Sequence, residues 1–278
     1  MTTDPAARLV DLVRGIGPVA VAYSGGVDSA LVLAAAVRAL GPDRVLAVTA
    51  VSESLASGEL ALAHELADDL GVTHLTPRTA ELTRPGYQAN GRDRCYFCKS
   101  EVLDVITALA GGRGFHEVAT GTNADDAADP HRPGIRAGRE RGIRTPLLDA
   151  GLGKAEVRAL SARWALPTWD KPATPCLASR VRYGIPITPH RLARVDRAEA
   201  AVRVLLARHG LPVTDLRVRD LGGSARLEVD AAIADRAAAL PGLAATLAAA
   251  GFADLPFTVE PFRTGRLNDE PPRTPAAR

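Results

Sequence analysis

Two features of this chain place chemically capable residues at chemically useful spacing. One is the string Ser24-Gly25-Gly26-Val27-Asp28-Ser29; the other is a set of three cysteines, Cys95, Cys98 and Cys176. Two glycines let the backbone turn tightly and bring its N–H groups close to an anion. A helix beginning at Val27 adds free donors and a positive field. The Ser24 and Ser29 hydroxyls can donate to phosphate oxygens. Asp28 is the odd member: an acid beside phosphates needs a cation between them, so it reads as a magnesium ligand, direct or through water. The string is not a Walker loop, because Leu148 stands where the first glycine before Gly153-Lys154 would be. Lys154 therefore reads as an ordinary helix-start residue or a distant phosphate contact.

Cys95 and Cys98 lie at i and i+3 near the start of a helical pattern, so they face one side of its first turn. With Cys176 as a distant third thiolate they could hold an iron–sulfur cluster with one iron open to a hydrosulfide. A redox pair, a zinc site and purely structural thiols are the alternatives. A fourth zinc ligand is not evident among His64, His74, His116, His131, His190 and His209, which read as surface or core residues.

The elements that must position these residues follow from hydrophobic periodicity. Helical patterns cover 4–15, 27–40, 57–70, 93–110 and 153–165. Short apolar strands fall at 18–23, 44–51, 74–77 and 116–120. This alternation predicts an α/β fold with a parallel sheet and helices on both faces. In such sheets ligands bind beyond the strand C-termini, where Gly121, Thr122, Asn123, Asp125 and Asp126 follow the fourth strand as ATP or metal contacts, helix capping being the other reading. Residues 130–145, rich in Gly, Pro and Arg, read as a mobile loop. After 185 the order changes to a helix at 188–208, a hairpin around Gly222-Gly223, a helical stretch at 230–250 broken at Pro241-Gly242, and a strand at 257–260. We expect domains at 1–184 and 185–268, the second a small α+β unit, with a disordered tail at 269–278.

The bulk numbers narrow the function. The net charge of +2, from 34 basic and 32 acidic residues, lacks the excess that long nucleic acids usually require. No apolar run is long enough to span a bilayer and no secretory signal is seen, which points to a cytoplasmic protein. An odd number of cysteines in that setting favours thiol chemistry or metal binding over a disulfide framework. Lysine occurs only at Lys99, Lys154 and Lys171, against a background of arginine.

The string SGGVDS is the motif of the N-type ATP pyrophosphatases, and the stretch Asp170-Lys171-Pro-Ala-Thr-Pro-Cys176-Leu-Ala-Ser179-Arg180 resembles the signature of the LarE sulfur transferases. Arg94-Cys-Tyr-Phe-Cys-Lys99, Gly121-Thr-Asn-Ala-Asp-Asp126, Asp129-x-x-Arg-Pro-Gly134, Arg217-Val-Arg219 with Ala225-Arg226-Leu-Glu228, and Arg263-Thr-Gly-Arg-Leu-Asn268 resemble that family too, from about residue 18 to 268. The resemblance implies adenylylation of a carboxylate of pyridinium-3,5-biscarboxylic acid mononucleotide, release of pyrophosphate, and insertion of sulfur to give a thiocarboxylate for nickel-pincer synthesis. It implies ATP, Mg2+ and, because of the CxxC, a four-iron, four-sulfur cluster on Cys95, Cys98 and Cys176. Cys176 is the sulfur-handling position; some members of the family give up its own sulfur and keep dehydroalanine. Val27 joins the phosphate loop. Arg217 and Arg219 would grip the substrate phosphate, while Ser179, Arg180, Lys171 and Lys99 would steady carboxylate, adenylate, phosphate or sulfide charge, solvated positions being the plainer reading for the two lysines. A homo-oligomer, a sulfur donor and a nickel-inserting enzyme are the expected partners, with no nucleic acid and no membrane. A transfer-RNA thiolase, an amide-forming synthetase and a nucleotide-binding regulator are the rival readings.

Overall fold

The computed structural model describes residues 4–128 and 133–269. Asp129, His131 and Arg132 of the expected motifs and residues 270–278 of the expected tail lie outside this range. Asp269 ends a short helix, Arg266–Asp269. The chain divides into two units: residues up to Ser52 with Ser57–Glu81 and Cys95–Thr174, and Glu53–Ala56 with Leu82–Arg94 and the segment from Pro175.

The first unit runs α1 (Pro5–Ile16), β1 (Val19–Ala22), α2 (Val27–Leu40), β2 (Val45–Val48), α3 (Glu59–Asp69), β3 (Thr73–Leu75), α4 (Arg94–Gly111), β4 (Glu117–Ala119), α5 (Pro133–Glu140) and α6 (Lys154–Arg163). The strands form one parallel sheet in the order β3-β2-β1-β4. Every residue of β1 and β2 is buried, as strands covered on both faces must be. Side chains alternate between the faces. Val19 and Val21 join the cluster that holds residues of α1, α2, α3 and α6, while Ala20 and Ala22 join Leu103, Ile106 and Ala110 of α4.

The strand order creates the site. From β1 the chain moves outward to β2 and β3, then returns to place β4 on the other side of β1. The switch point therefore lies between β1 and β4, where open parallel sheets hold ligands beyond their carboxyl ends. The segments leaving β1 and β4 are Ser24–Ser29 and Gly121–Asp126.

Part of the expected mobile loop is α5. Pro133 opens it, Arg141 donates to the Ala137 carbonyl and pairs with Asp104, and Gly142 at φ 64° follows. Ion pairs support this helix, so its sequence lacks a broad apolar stripe.

The second unit is built on α7 (Pro189–Arg208), capped by the Thr188 side chain on the Arg191 N–H. Its sheet is β5 (Leu216–Asp220), β6 (Ala225–Val229) and β7 (Phe257–Pro261), in that order. β5 and β6 are an antiparallel hairpin, and β6 and β7 are parallel. The helical stretch at 230–250 is broken between Ala234–Ala238 and Leu243–Leu247, with Gly242 at φ 86°. Among the described residues no helix is long and apolar enough to cross a membrane.

Candidate active site

Gly25, at φ 71°, turns the chain as it leaves β1. The Ser24 N–H donates to the Ser29 Oγ at 3.1 Å, the two hydroxyls meet at 3.1 Å, and the Ser29 hydroxyl donates to the Gly26 carbonyl at 3.1 Å. Ser29 thus holds the loop closed from inside its helix. Gly25 also lies against α3: a Cβ there would be 3.4 Å from that of Ala63.

Gly121 reaches the same loop from β4. A Cβ on Gly121 would lie 2.6 Å from the Ser29 nitrogen and 2.8 Å from the Asp28 carbonyl carbon, both backbone atoms. Only glycine fits without displacing the helix start. Asn123, two residues on, donates from Nδ2 to Asp28 Oδ1 at 3.0 Å, and its Oδ1 accepts from the Asp126 N–H at 2.9 Å. The Thr122 hydroxyl meets that of Thr120 at 3.2 Å. Asp125 accepts from the Lys154 N–H at 2.7 Å, so the structure uses it to seat the start of α6.

Lys154 Nζ forms an ion pair with Asp28 Oδ2, both groups being partly exposed. The sequence reading missed this role. The available signal was that Lys154 is one of three lysines in an arginine-rich chain. Lys171 is also engaged: its ammonium donates to the Gly25 carbonyl at 3.0 Å and to Glu59 at 2.8 Å, where the Thr174 hydroxyl also donates, at 3.3 Å. It braces the phosphate loop from outside. A magnesium ion held by protein usually takes one or two carboxylates, with substrate phosphates and water completing the shell. The Asp28 carboxylate, half-buried on the loop and tied by Asn123, has the chemistry for that.

Beneath the loop a polar chain crosses the ends of three strands. The Thr49 hydroxyl donates to the Tyr23 carbonyl at 2.6 Å and meets His74 Nε2 at 2.8 Å; His74 Nδ1 meets His64 Nδ1 at 3.0 Å. Thr49 has one proton and gives it to Tyr23, so His74 Nε2–H must donate to Thr49, and His64 Nδ1–H to neutral His74. Burial, then the neighbouring His64, brings His74 down to about 4, with Asp68 opposing.

Cys95 is exposed and Cys98 half-buried on the first turn of α4. A Cβ on Gly134 of α5 would sit 3.5 Å from the Cys95 carbonyl and 3.6 Å from the Lys99 Cβ. Burial pulls the Lys99 ammonium below the usual lysine range, and the adjacent Cys98 opposes that shift. Cys176 is half-buried and belongs to the second unit. Among the described residues no three His, Cys, Asp or Glu side chains gather into a metal-holding group. The four-iron, four-sulfur cluster expected on Cys95, Cys98 and Cys176 therefore has no support among the described residues.

In the second unit Cys176 precedes the one-turn 3-10 helix Leu177–Arg180. The buried Arg180 guanidinium donates to the carbonyls of Pro175 and Cys176 and to the Ser179 hydroxyl, and pairs with Glu199 of α7 at 2.9 Å. Arg219 pairs with Glu228 at 2.7 Å and donates to the Ser179 carbonyl at 3.1 Å. Arg217 lies over the Phe262 ring at 5.4 Å and 3.9 Å from Asp215. Burial, with Arg180 adding to it, brings Arg217 down to about 10. Arg219, Arg226 and Arg266 share the Glu228 carboxylate, Arg266 also pairs with Glu260, and Arg180 and Arg217 pair with Glu199 and Asp215 respectively. The expected fork is unequal: Arg219 is committed to Glu228 at 2.7 Å, while Arg217 feels the like charges of Arg180 and Arg219 and the opposite charges of Glu199 and Asp215.

The model of the NAD synthase family matches residues 12–90. An uncharacterized protein of Synechocystis sp. is 42% identical over 253 residues, 89% of this chain and 91% of its own. The pyridinium-3,5-bisthiocarboxylic acid mononucleotide synthase of Lactiplantibacillus plantarum is 34% identical over 264 residues, 95% of this chain and 93% of its own. An uncharacterized protein of Methanocaldococcus jannaschii is 27% identical over 141 residues, about half of each chain. A parallel sheet whose first strand runs through SGGVDS into a helix, together with these matches, defines an ATP-binding enzyme of the pyrophosphatase-loop class. Within that class the chain belongs to the LarE family, which includes the Lactiplantibacillus synthase.

Proposed function

We propose that this enzyme adenylylates a carboxylate of pyridinium-3,5-biscarboxylic acid mononucleotide and replaces a carboxylate oxygen with sulfur. The observation that carries the reading is the full-length likeness to a synthase named for the bisthiocarboxylic product. The loop geometry supports it, because Ser24–Ser29 with Asp28 tied by Asn123 and Lys154 suits a triphosphate and its counter-cation.

In the first step the carboxylate oxygen bonds to the α-phosphorus of ATP as the α–β anhydride bond breaks, and pyrophosphate leaves. Loop N–H groups and the lysines position and neutralise the phosphates, which supplies most of the catalysis in such transfers. In the second step the Cys176 thiolate attacks the acyl carbon and AMP leaves, forming a thioester. Loss of the Cys176 Cα proton then breaks its Cβ–S bond. The thiocarboxylate departs with the electron pair, and residue 176 remains as dehydroalanine. Arg217 is assigned to the substrate phosphate from the family pattern Arg217-Val-Arg219, since Arg219, the other arm of that pattern, is committed to Glu228.

Intact-protein mass spectrometry tests this reading. One turnover lowers the chain mass by that of one hydrogen sulfide, and the loss maps to residue 176. A thiocarboxylate product from a chain of unchanged mass contradicts the sacrificial step. Iron and acid-labile sulfide, assayed on protein purified without oxygen, test the cluster separately: about four irons per chain would restore it as a carrier, and none would leave Cys176 alone in that role.

A further inference from the structure

The carbonyls around Cys176 are held by arginine side chains. Pro175 and Cys176 carbonyls accept from Arg180, that of Ala178 from Arg94 at 3.0 Å, and that of Ser179 from Arg219. Arg180 in turn is fixed by one carboxylate. Glu199 Oε1 accepts from Arg180 Nε at 2.9 Å and from the Val218 N–H at 3.0 Å, and Oε2 accepts from Arg180 Nη2 at 3.2 Å. Val218 stands between Arg217 and Arg219 on β5. Glu199 is 8% exposed and Arg180 1%.

We propose that Glu199 is a positioning residue for sulfur transfer, which, through Arg180, locks the Cys176 turn to the strand that carries Arg217. This rests on the sulfur-handling role of Cys176. Arg180 acts on the sulfur through the backbone beneath it, with its donors directed to the turn and to Glu199. The functional meaning is registration: the thiol and the guanidinium assigned to the substrate phosphate share one buried anchor, so the substrate's phosphate and its acyl carbon are located by the same frame. Removing a buried carboxylate that fixes a guanidinium releases that frame and leaves every group assigned to substrate in the sequence.

Glu199→Gln tests this through two readouts. The first needs no turnover: the rate at which iodoacetamide alkylates Cys176, followed peptide by peptide, with exposed Cys95 as internal control. We expect Cys176 to react roughly tenfold faster, because local opening follows local stability, and Cys95 to be unchanged. The second is catalytic: sulfur transfer falls roughly 10- to 100-fold, as misplacement of about an ångström does, while pyrophosphate release persists. If Glu199→Gln does not fold, Arg180→Lys, which keeps the buried charge but cannot span the same acceptors, carries both measurements, with the same alkylation and transfer outcomes expected. Unchanged Cys176 alkylation together with unchanged transfer in a folded variant overturns the proposal. Full transfer by Cys176→Ala overturns the underlying sulfur reading instead, and leaves the alkylation result standing as a test of the clamp alone.

Discussion

At Gly121 a single methyl group decides between two backbones. Adding a Cβ there drives it into Ser29 N and the Asp28 carbonyl carbon, so Gly121→Ala is expected to displace the start of α2. Overpacking of this kind costs roughly 1–3 kcal/mol; thermal unfolding and pyrophosphate release should both register it. Lys154→Met removes the cation paired with Asp28. The expected outcome is a higher KM for ATP and a fall in pyrophosphate release of roughly tenfold or more, not restored by excess magnesium; unchanged kinetics would remove Lys154 from the site. Residue chemistry was legible in sequence where it was local. SGGVDS announced a phosphate loop because its glycines and serines act within one turn. The partners of Asp28 were not legible as such: Asn123 and Lys154 arrive from elements far along the chain, and pairing across a sheet switch leaves no spacing signal. The place of Arg180 beneath its turn was hidden for the same reason, since its carboxylate partner is on a helix.

At the level of elements, periodicity located the four parallel strands and the helices between them, including the α2 bounds, because both-face burial leaves continuous apolar runs. It missed α5, whose support comes from ion pairs and contact with α4. It also gave no sign of Asn90. This fully buried residue, at φ 54°, donates from Nδ2 to the carbonyls of Arg182 and Ile185 at 2.9 and 2.8 Å, and its Oδ1 accepts from Arg94 at 2.5 Å. Asn tolerates that left-handed backbone better than most residues. Asn90→Ala leaves buried acceptors unsatisfied and should cost about 2–4 kcal/mol, seen as a lower midpoint in denaturant. The His74 chain predicts a pH dependence. Folded His74 titrates near 4, against 6.5 for the ordinary group. The unfolded chain therefore binds a proton first as pH falls, and the stability that neutral His74 contributes is intact above 6.5. It is lost progressively between 6.5 and about 4. Denaturant titrations across that window should show the slope, and His74→Asn should flatten it.

On the scale of the whole molecule, the phosphate loop belongs to the first unit and the arginine-held Cys176 turn to the second. Composition suggested thiol chemistry, and the family pattern assigned it to Cys176. The joining of residues 53–56 and 82–94 to the second unit was not legible, because short segments exchanged between units carry no periodicity of their own. The two-step reading predicts that adenylylation and sulfur transfer separate by mutation: Asp28→Ala stops both, while a change at the sulfur stops only the second. The most direct measurement is a single-turnover reaction of Cys176→Ala with ATP, magnesium and the dicarboxylate mononucleotide, following pyrophosphate and thiocarboxylate together. Pyrophosphate released with no thiocarboxylate formed is the predicted result. Thiocarboxylate formed at the parent yield would contradict the account at its centre.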